Sequence, residues 1–166
     1  STEEAYVACP TADGFYTIPE REYRDFQGDP MLGRCIASRF VVDGIIGRGA
    51  IGKVYRARQL GIERSVALKI FQLEHIVTSR YDAEPSESVL ERREDARRRF
   101  VREAQVLGAL THPNCVTIYD FGVSEDESFL YIAMEYETGG ALRGALQRGL
   151  KSASMLTVML QILMAL

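Results

Sequence analysis

The chain has 166 residues, 46% of them hydrophobic and 26% charged, with a formal net charge of −3. That size suffices to bury a core, and the slightly acidic balance offers no basic surface for a nucleic acid. No secretory signal and no apolar run long enough to span a bilayer can be read from it, so a cytoplasmic setting is expected.

Residues 1–38, with Pro19, Pro30 and scattered charges, read as a leader of low structural content. Met31-Leu32-Gly33 is the part of it expected to pack on the folded remainder of the chain. Cys9-Pro10 and Asp13-Gly14 lack the companion ligands that a zinc knuckle requires. The three cysteines, Cys9, Cys35 and Cys115, show no Cys-x-x-Cys spacing. An odd, scattered set is the pattern of reduced thiols.

The stretch Gly47-Arg48-Gly49-Ala50-Ile51-Gly52-Lys53-Val54 fits several phosphate-binding loops. The dinucleotide fingerprint and the Walker loop both need the last glycine to open a helix. Here Val54-Tyr55-Arg56-Ala57-Arg58-Gln59 is rich in strand formers and ends at the turn signal Leu60-Gly61. Val54 also stands where the Walker pattern places Ser or Thr. A strand-turn-strand hairpin is predicted, and taken alone it is compatible with having no ligand at all.

Val66-Ala67-Leu68-Lys69-Ile70-Phe71 reads as a buried strand. Its period of two puts Ala67 and Lys69 on one face and Val66, Leu68 and Ile70 on the other. A lysine in an apolar strand is costly to bury unless paired. Residues 72–95 begin with a polar loop and pass near Val89 into a helix rich in Glu and Arg. From Phe100 to Leu110 the spacing is helical, with Phe100, Ala104 and Leu107 in one apolar stripe. Glu103 borders that stripe and is expected on the buried face, as the partner of Lys69. His75 and His112 have no metal-site companions. Met155 to Leu166 is apolar but short, and its order suits a core helix.

Taken together, these segments resemble the eukaryotic-type protein kinase family in its bacterial serine/threonine branch. The glycine pattern runs from Gly47 to Val54, and Val66-Ala67-Leu68-Lys69 is similar to the family's Val-Ala-Ile-Lys. Ala50-Ile51 replace a common Gly-Met. Arg102-Glu103-Ala104 and Leu110-Thr111-His112-Pro113-Asn114 resemble the end of helix C and its turn. Thr117 to Gly122 and Phe129 to Tyr136 resemble the fourth and fifth strands. The resemblance covers roughly residues 39 to 166.

It implies an α+β fold: a kinase small lobe (a five-stranded antiparallel sheet plus helix C) at 39–137, with an insertion at about 72–95. Residues 138–166 would be the hinge exit and the start of a truncated large lobe, with a short helix near Ala141 to Arg148. For the site it implies that Gly47, Arg48, Gly49, Ala50, Ile51, Gly52 and Lys53 form the cover over ATP phosphates. Ile46, Val54 and Ala67 would sandwich the adenine, with Met134 as gatekeeper and the backbones of Glu135 and Glu137 as hinge. Lys69 would hold the α- and β-phosphates, braced by Glu103. Ala141 stands where relatives carry a polar residue near the ribose.

ATP, Mg2+ and a protein substrate are the implied partners. The catalytic loop and the metal ligands are expected in a half of the domain beyond Leu166, so the 166 residues are expected to be cut at both ends and inactive alone. A pseudokinase or nucleotide-binding scaffold is the alternative enzyme-free reading, and a plain interaction domain with an idle hairpin is the other.

Overall fold

The computed structural model describes residues 16, 29–49, 52–73, 88–149 and 152–165. Among them, six strands form one antiparallel sheet: β1 (Cys35–Ile36), β2 (Phe40–Arg48), β3 (Lys53–Gln59), β4 (Arg64–Gln72), β5 (Ile118–Val123) and β6 (Phe129–Glu135). Their spatial order is β1-β2-β3-β4-β6-β5. The five expected strands are present, and β1 is a two-residue addition at the edge.

Strand periodicity gives the sheet two unlike faces. Leu68 lies across from Tyr55 and from Ala133, and all three point to the outer face. There Phe40, Val42, Val66, Leu68, Ile70, Tyr131 and Ala133 make a dry core in which Leu68 and Phe40 are 0% exposed. Ala67, Lys69 and Phe71 take the alternate positions and face the other way.

The outer face is closed by the leader. Met31, Leu32 and Ile36 belong to the same buried cluster. Backbone bonds fasten them: the Gly33 amide donates to the Val42 carbonyl at 2.8 Å, and the Val42 amide to the Arg34 carbonyl at 3.0 Å. The leader of low structural content therefore needs correction over its last ten residues or so: from Asp29 onward it is part of the lobe, ahead of the boundary expected at 39. Met31 and Leu32 pack as expected, whereas Asp29 and Ile36 gave no pattern to read, and only the facing sheet supplies their partners.

Helix α1 runs from Val89 to Gly108 without a break. Its start is set by a capping box: Ser88 Oγ accepts from the Glu91 amide at 3.2 Å, and the Ser88 amide donates to Glu91 Oε2 at 2.8 Å. Two otherwise unpaired donors are satisfied reciprocally. The charged helix expected within 72–95 and the apolar-striped one after Phe100 are thus a single element. The rest of that insertion, 74–87, lies outside the described residues.

α1 packs on β5 and β6, and it meets β4 through an edge-to-face pair of Phe100 with Phe71, 5.6 Å between centroids. Downstream come α2 (Leu142–Gln147) and α3 (Ser152–Ala165), matching the two helices expected there. Asn114 Nδ2 donates to the Gln161 carbonyl at 2.9 Å, tying α3 to the turn after α1.

Candidate functional site

The glycine hairpin joins β2 to β3. Gly47 pairs with Val54 and Arg48 with Lys53, and the turn is closed by the Gly49 amide donating to the Gly52 carbonyl at 2.8 Å. The last glycine leads into a strand. That geometry separates this loop from the helix-opening phosphate loops it resembles in sequence. Ala50 and Ile51 lie outside the described residues.

Two of the glycines have different local reasons. A Cβ on Gly52 would run into the Ile70 carbonyl of β4, so the residue is held to glycine by packing within the sheet. A Cβ on Gly47 would meet nothing within 4 Å, so its backbone borders open space that a ligand can approach.

Beneath the hairpin the register brings four of the expected residues onto one face. Val54 lies across from Lys69, and Ala67 lies across from Met134. Opposed residues in an antiparallel pair share a face, so Val54, Ala67, Lys69 and Met134 line one surface, opposite the dry core. Val54, Lys69 and Met134 are half-buried. Ile46 falls in the second bulge of β2 and is 44% exposed, whereas its neighbour Ile45 packs on the outer core.

A small residue, two aliphatic walls and an ammonium group on one open surface suit a flat base followed by an anionic tail. At the hinge, the Glu135 amide is taken by the Thr117 carbonyl at 2.9 Å, which restricts its contribution to the carbonyl oxygen. Its carboxylate accepts from the Thr117 amide at 3.2 Å. Glu137 follows outside the strand and is exposed.

Two expected site residues are placed differently from the sequence reading. Glu103 is exposed, and no ion pair joins it to Lys69; the buried residue of α1 is its neighbour Ala104, 1% exposed. One step along a helix is a turn of about 100°, enough to swing the carboxylate off the packed side. The Lys69 ammonium instead lies 5.0 Å from the centroid of the Phe71 ring. That is a cation–π distance. Because Phe71 meets Phe100, the link from Lys69 to α1 runs through two aromatic rings.

Lys53 is the second case. Its ammonium bonds Asp29 Oδ2 at 2.9 Å on the outer face, so only its backbone faces a ligand's side of the hairpin.

Two features escaped the sequence reading. Asp43, in the first bulge of β2 and 4% exposed, pairs with Arg56 Nε at 2.7 Å. A carboxylate in the run Phe40-Val41-Val42-Asp43 was the available signal, since a buried charge needs a partner. The triplet Asp120-Phe121-Gly122 spells the kinase metal motif but sits in β5. Asp120 is held by Arg39 at 2.8 Å and by the Tyr131 hydroxyl at 3.2 Å, across from Ala133 on the outer face. It cannot serve a metal beside Lys69. Among the described residues, no three His, Cys, Asp or Glu side chains come together as a metal site, and no helix is long and apolar enough to cross a membrane.

Comparison with known proteins agrees with this geometry. The family model described as the protein kinase domain matches residues 40–166. Serine/threonine-protein kinase pkn3 of Myxococcus xanthus is 37% identical over 140 residues, covering 83% of this chain and 23% of that protein. PrkC of Bacillus subtilis is 35% identical over 113 residues, covering 68% of this chain and 15% of the relative. Among solved structures, the kinase domain of Mycobacterium tuberculosis PknI superposes with a TM-score of 0.59 at 26% identity. That match covers 80% of this chain and 47% of the other. The chain therefore spans under a quarter of these curated relatives and about half of a solved kinase domain. Its α+β architecture is that of a kinase small lobe followed by the first helices of the large one, and the chain belongs to the protein kinase family.

Proposed function

We propose that this chain is the ATP-binding part of a protein serine/threonine kinase, an enzyme that moves the γ-phosphoryl group of ATP to a protein hydroxyl. One observation carries the reading: Lys69 stands beside Val54 and two positions from Ala67 on the open face of the sheet, under a glycine hairpin that continues as a strand. Names of relatives support the hydroxyl specificity, since pkn3 and PrkC are serine/threonine-protein kinases.

In this proposal the backbones of Gly47, Gly49 and Gly52 approach the phosphates, and Ile46, Val54, Ala67 and Met134 enclose the base. The Glu135 carbonyl and the Glu137 amide read its edge. Lys69 neutralises phosphate charge, and Glu103 becomes its partner when α1 turns inward. Mg2+ would supply charge neutralisation for the transfer, and its ligands are assigned to no residue of this chain. The half-buried free thiols Cys35 and Cys115 suit a reducing cytoplasm, where ATP is also found. A protein substrate is the second partner, and no nucleic acid is invoked.

The test is to titrate ATP into this chain extended through the remaining kinase domain, with and without Lys69→Met. Transfer to a protein substrate should fall by at least about a hundredfold, the scale of losing one preorganised charge-stabilising group. Equal ATP affinity and equal transfer in the two proteins would refute the assignment of the cleft.

A further inference from the structure

The carboxylate of Asp29 is among the most enclosed charged groups described, its side chain only 3% exposed. It belongs to the leader, 24 residues before Lys53 in sequence, yet it collects three donors. Lys53 Nζ lies at 2.9 Å from Oδ2, the Tyr55 hydroxyl at 3.1 Å from Oδ1, and the Met31 amide at 3.1 Å from Oδ1. Burial by itself raises the pKa of Asp29, but the Lys53 ammonium, the Met31 amide and the Tyr55 hydroxyl outweigh it and hold the group below its ordinary value.

Both side-chain donors come from the first residues of β3, immediately after Gly52. Lys53 is paired with Arg48 and so belongs to the root of the glycine hairpin. Because Lys53 and Tyr55 point to the outer face, Asp29 grips the hairpin from behind, on the side away from the open surface carrying Lys69 and Ala67.

The residues after Asp29 are fixed in turn. Met31 and Leu32 are 4% and 8% exposed within the core, and the Gly33 and Val42 amides close the backbone bonds to β2 and to the leader. An exposed ion pair contributes little. This one is different because one partner is desolvated and has three donors, and removing the Lys53 ammonium would leave a buried charge without its counter-ion.

We infer that Asp29 is a positioning residue for the nucleotide site: through Lys53 and Tyr55 it fixes the root of the glycine hairpin, making the leader a structural part of the ATP-binding apparatus. Asp29 itself touches no nucleotide. The inference rests on the ATP reading for its functional half only, because the tether is a property of the chain alone.

The experiment uses the same extended protein as the ATP titration and reads amide hydrogen exchange residue by residue, with and without ATP. In Asp29→Asn, the Gly49 amide, which is bonded across the hairpin, should exchange about tenfold faster. The Leu130 and Ala133 amides of β6 should keep their wild-type rates. Lys53→Met should give the same local change, and the double variant should add nothing to either. Tyr55→Phe, which leaves the ion pair in place, should produce a smaller local change.

Acceleration everywhere in Asp29→Asn would mark a general loss of stability and overturn the positioning role. Unchanged Gly49 exchange in both single variants would overturn the tether. If ATP slows Gly49 exchange in the wild type, that protection should be weaker in Asp29→Asn at equal ATP; equal protection would overturn the functional half. If ATP protects nothing in the wild type while the variants still loosen the hairpin, the tether stands and the nucleotide reading is what fails.

Discussion

The two faces of one strand, β4, divide the work of this lobe. Val66, Leu68 and Ile70 are sealed on the outer face, with Leu68 and Val66 at 0% exposure. Lys69 and Phe71, on the other face, remain half-buried. Adjacent residues thus answer to different demands: one set excludes water completely, and the other keeps a charged group at a surface a ligand can reach. The backbone that positions Lys69 is rigid because its neighbours are packed. Stability and chemistry are separated by a single residue step.

The sharpest way to break that division is Leu68→Ala. Truncating a side chain at 0% exposure should cost about 2–5 kcal/mol, the range for buried leucines. A shift of the urea midpoint at unchanged slope would register it. Next comes Gly52→Ala, whose added methyl meets the Ile70 carbonyl. Overpacking of this kind costs about 1–3 kcal/mol, and the loss should be accompanied by faster exchange where β3 leaves β4. A stability equal to wild type would show that the strands separate there easily.

Lys69→Met is the complementary test on the open face. Stability should change by no more than about 0.5 kcal/mol, as for substitutions outside a packed core, while on the proposed reading the affinity for ATP should fall. A large fall in the urea midpoint would mean that Lys69 is structural, and the division of labour would fail.

The smallest effect concerns the turn between β5 and β6. Asp126 accepts from the Ser124 hydroxyl at 2.6 Å and from the Ser128 hydroxyl at 2.7 Å. With the Ser128 amide, these bonds hold its pKa down at about 2 against an ordinary 3.8. A depressed carboxylate stabilises the fold fully above its unfolded value. That contribution should therefore be present above pH 3.8 and disappear as the pH falls through about 2. Amide shifts of Ser128 would follow it, and a midpoint near the ordinary value would show that the bonds are not kept in solution.

Most of the sheet was legible because period-two alternation depends only on neighbours in sequence. Lys69 and Ala67 were placed on one face by that rule, and the register agrees. The helix was legible as a helix but not in its rotation. Phe100, Ala104 and Leu107 form a stripe, yet only Ala104 is buried while Leu107 and Leu110 are 48% and 56% exposed. A stripe says which residues go together and not which one touches the sheet, and Glu103 sits one position from the boundary. Met31 and Leu32 were expected to pack and do, but the place of Asp29 was illegible for another reason. Its side-chain partners Lys53 and Tyr55 come later in the chain, and no local pattern announces a contact that folding alone creates.

The unbroken length of α1 has a mechanical corollary. Twenty residues at 1.5 Å each make a rod of about 30 Å, held at several points along it: Arg97 reaches Glu127 at 3.4 Å, Phe100 meets Phe71, and Ala104 is buried. A rod held at several points turns as one body. Any turn about its axis that carries Glu103 toward Lys69 would therefore also have to move the Arg97 and Phe100 contacts.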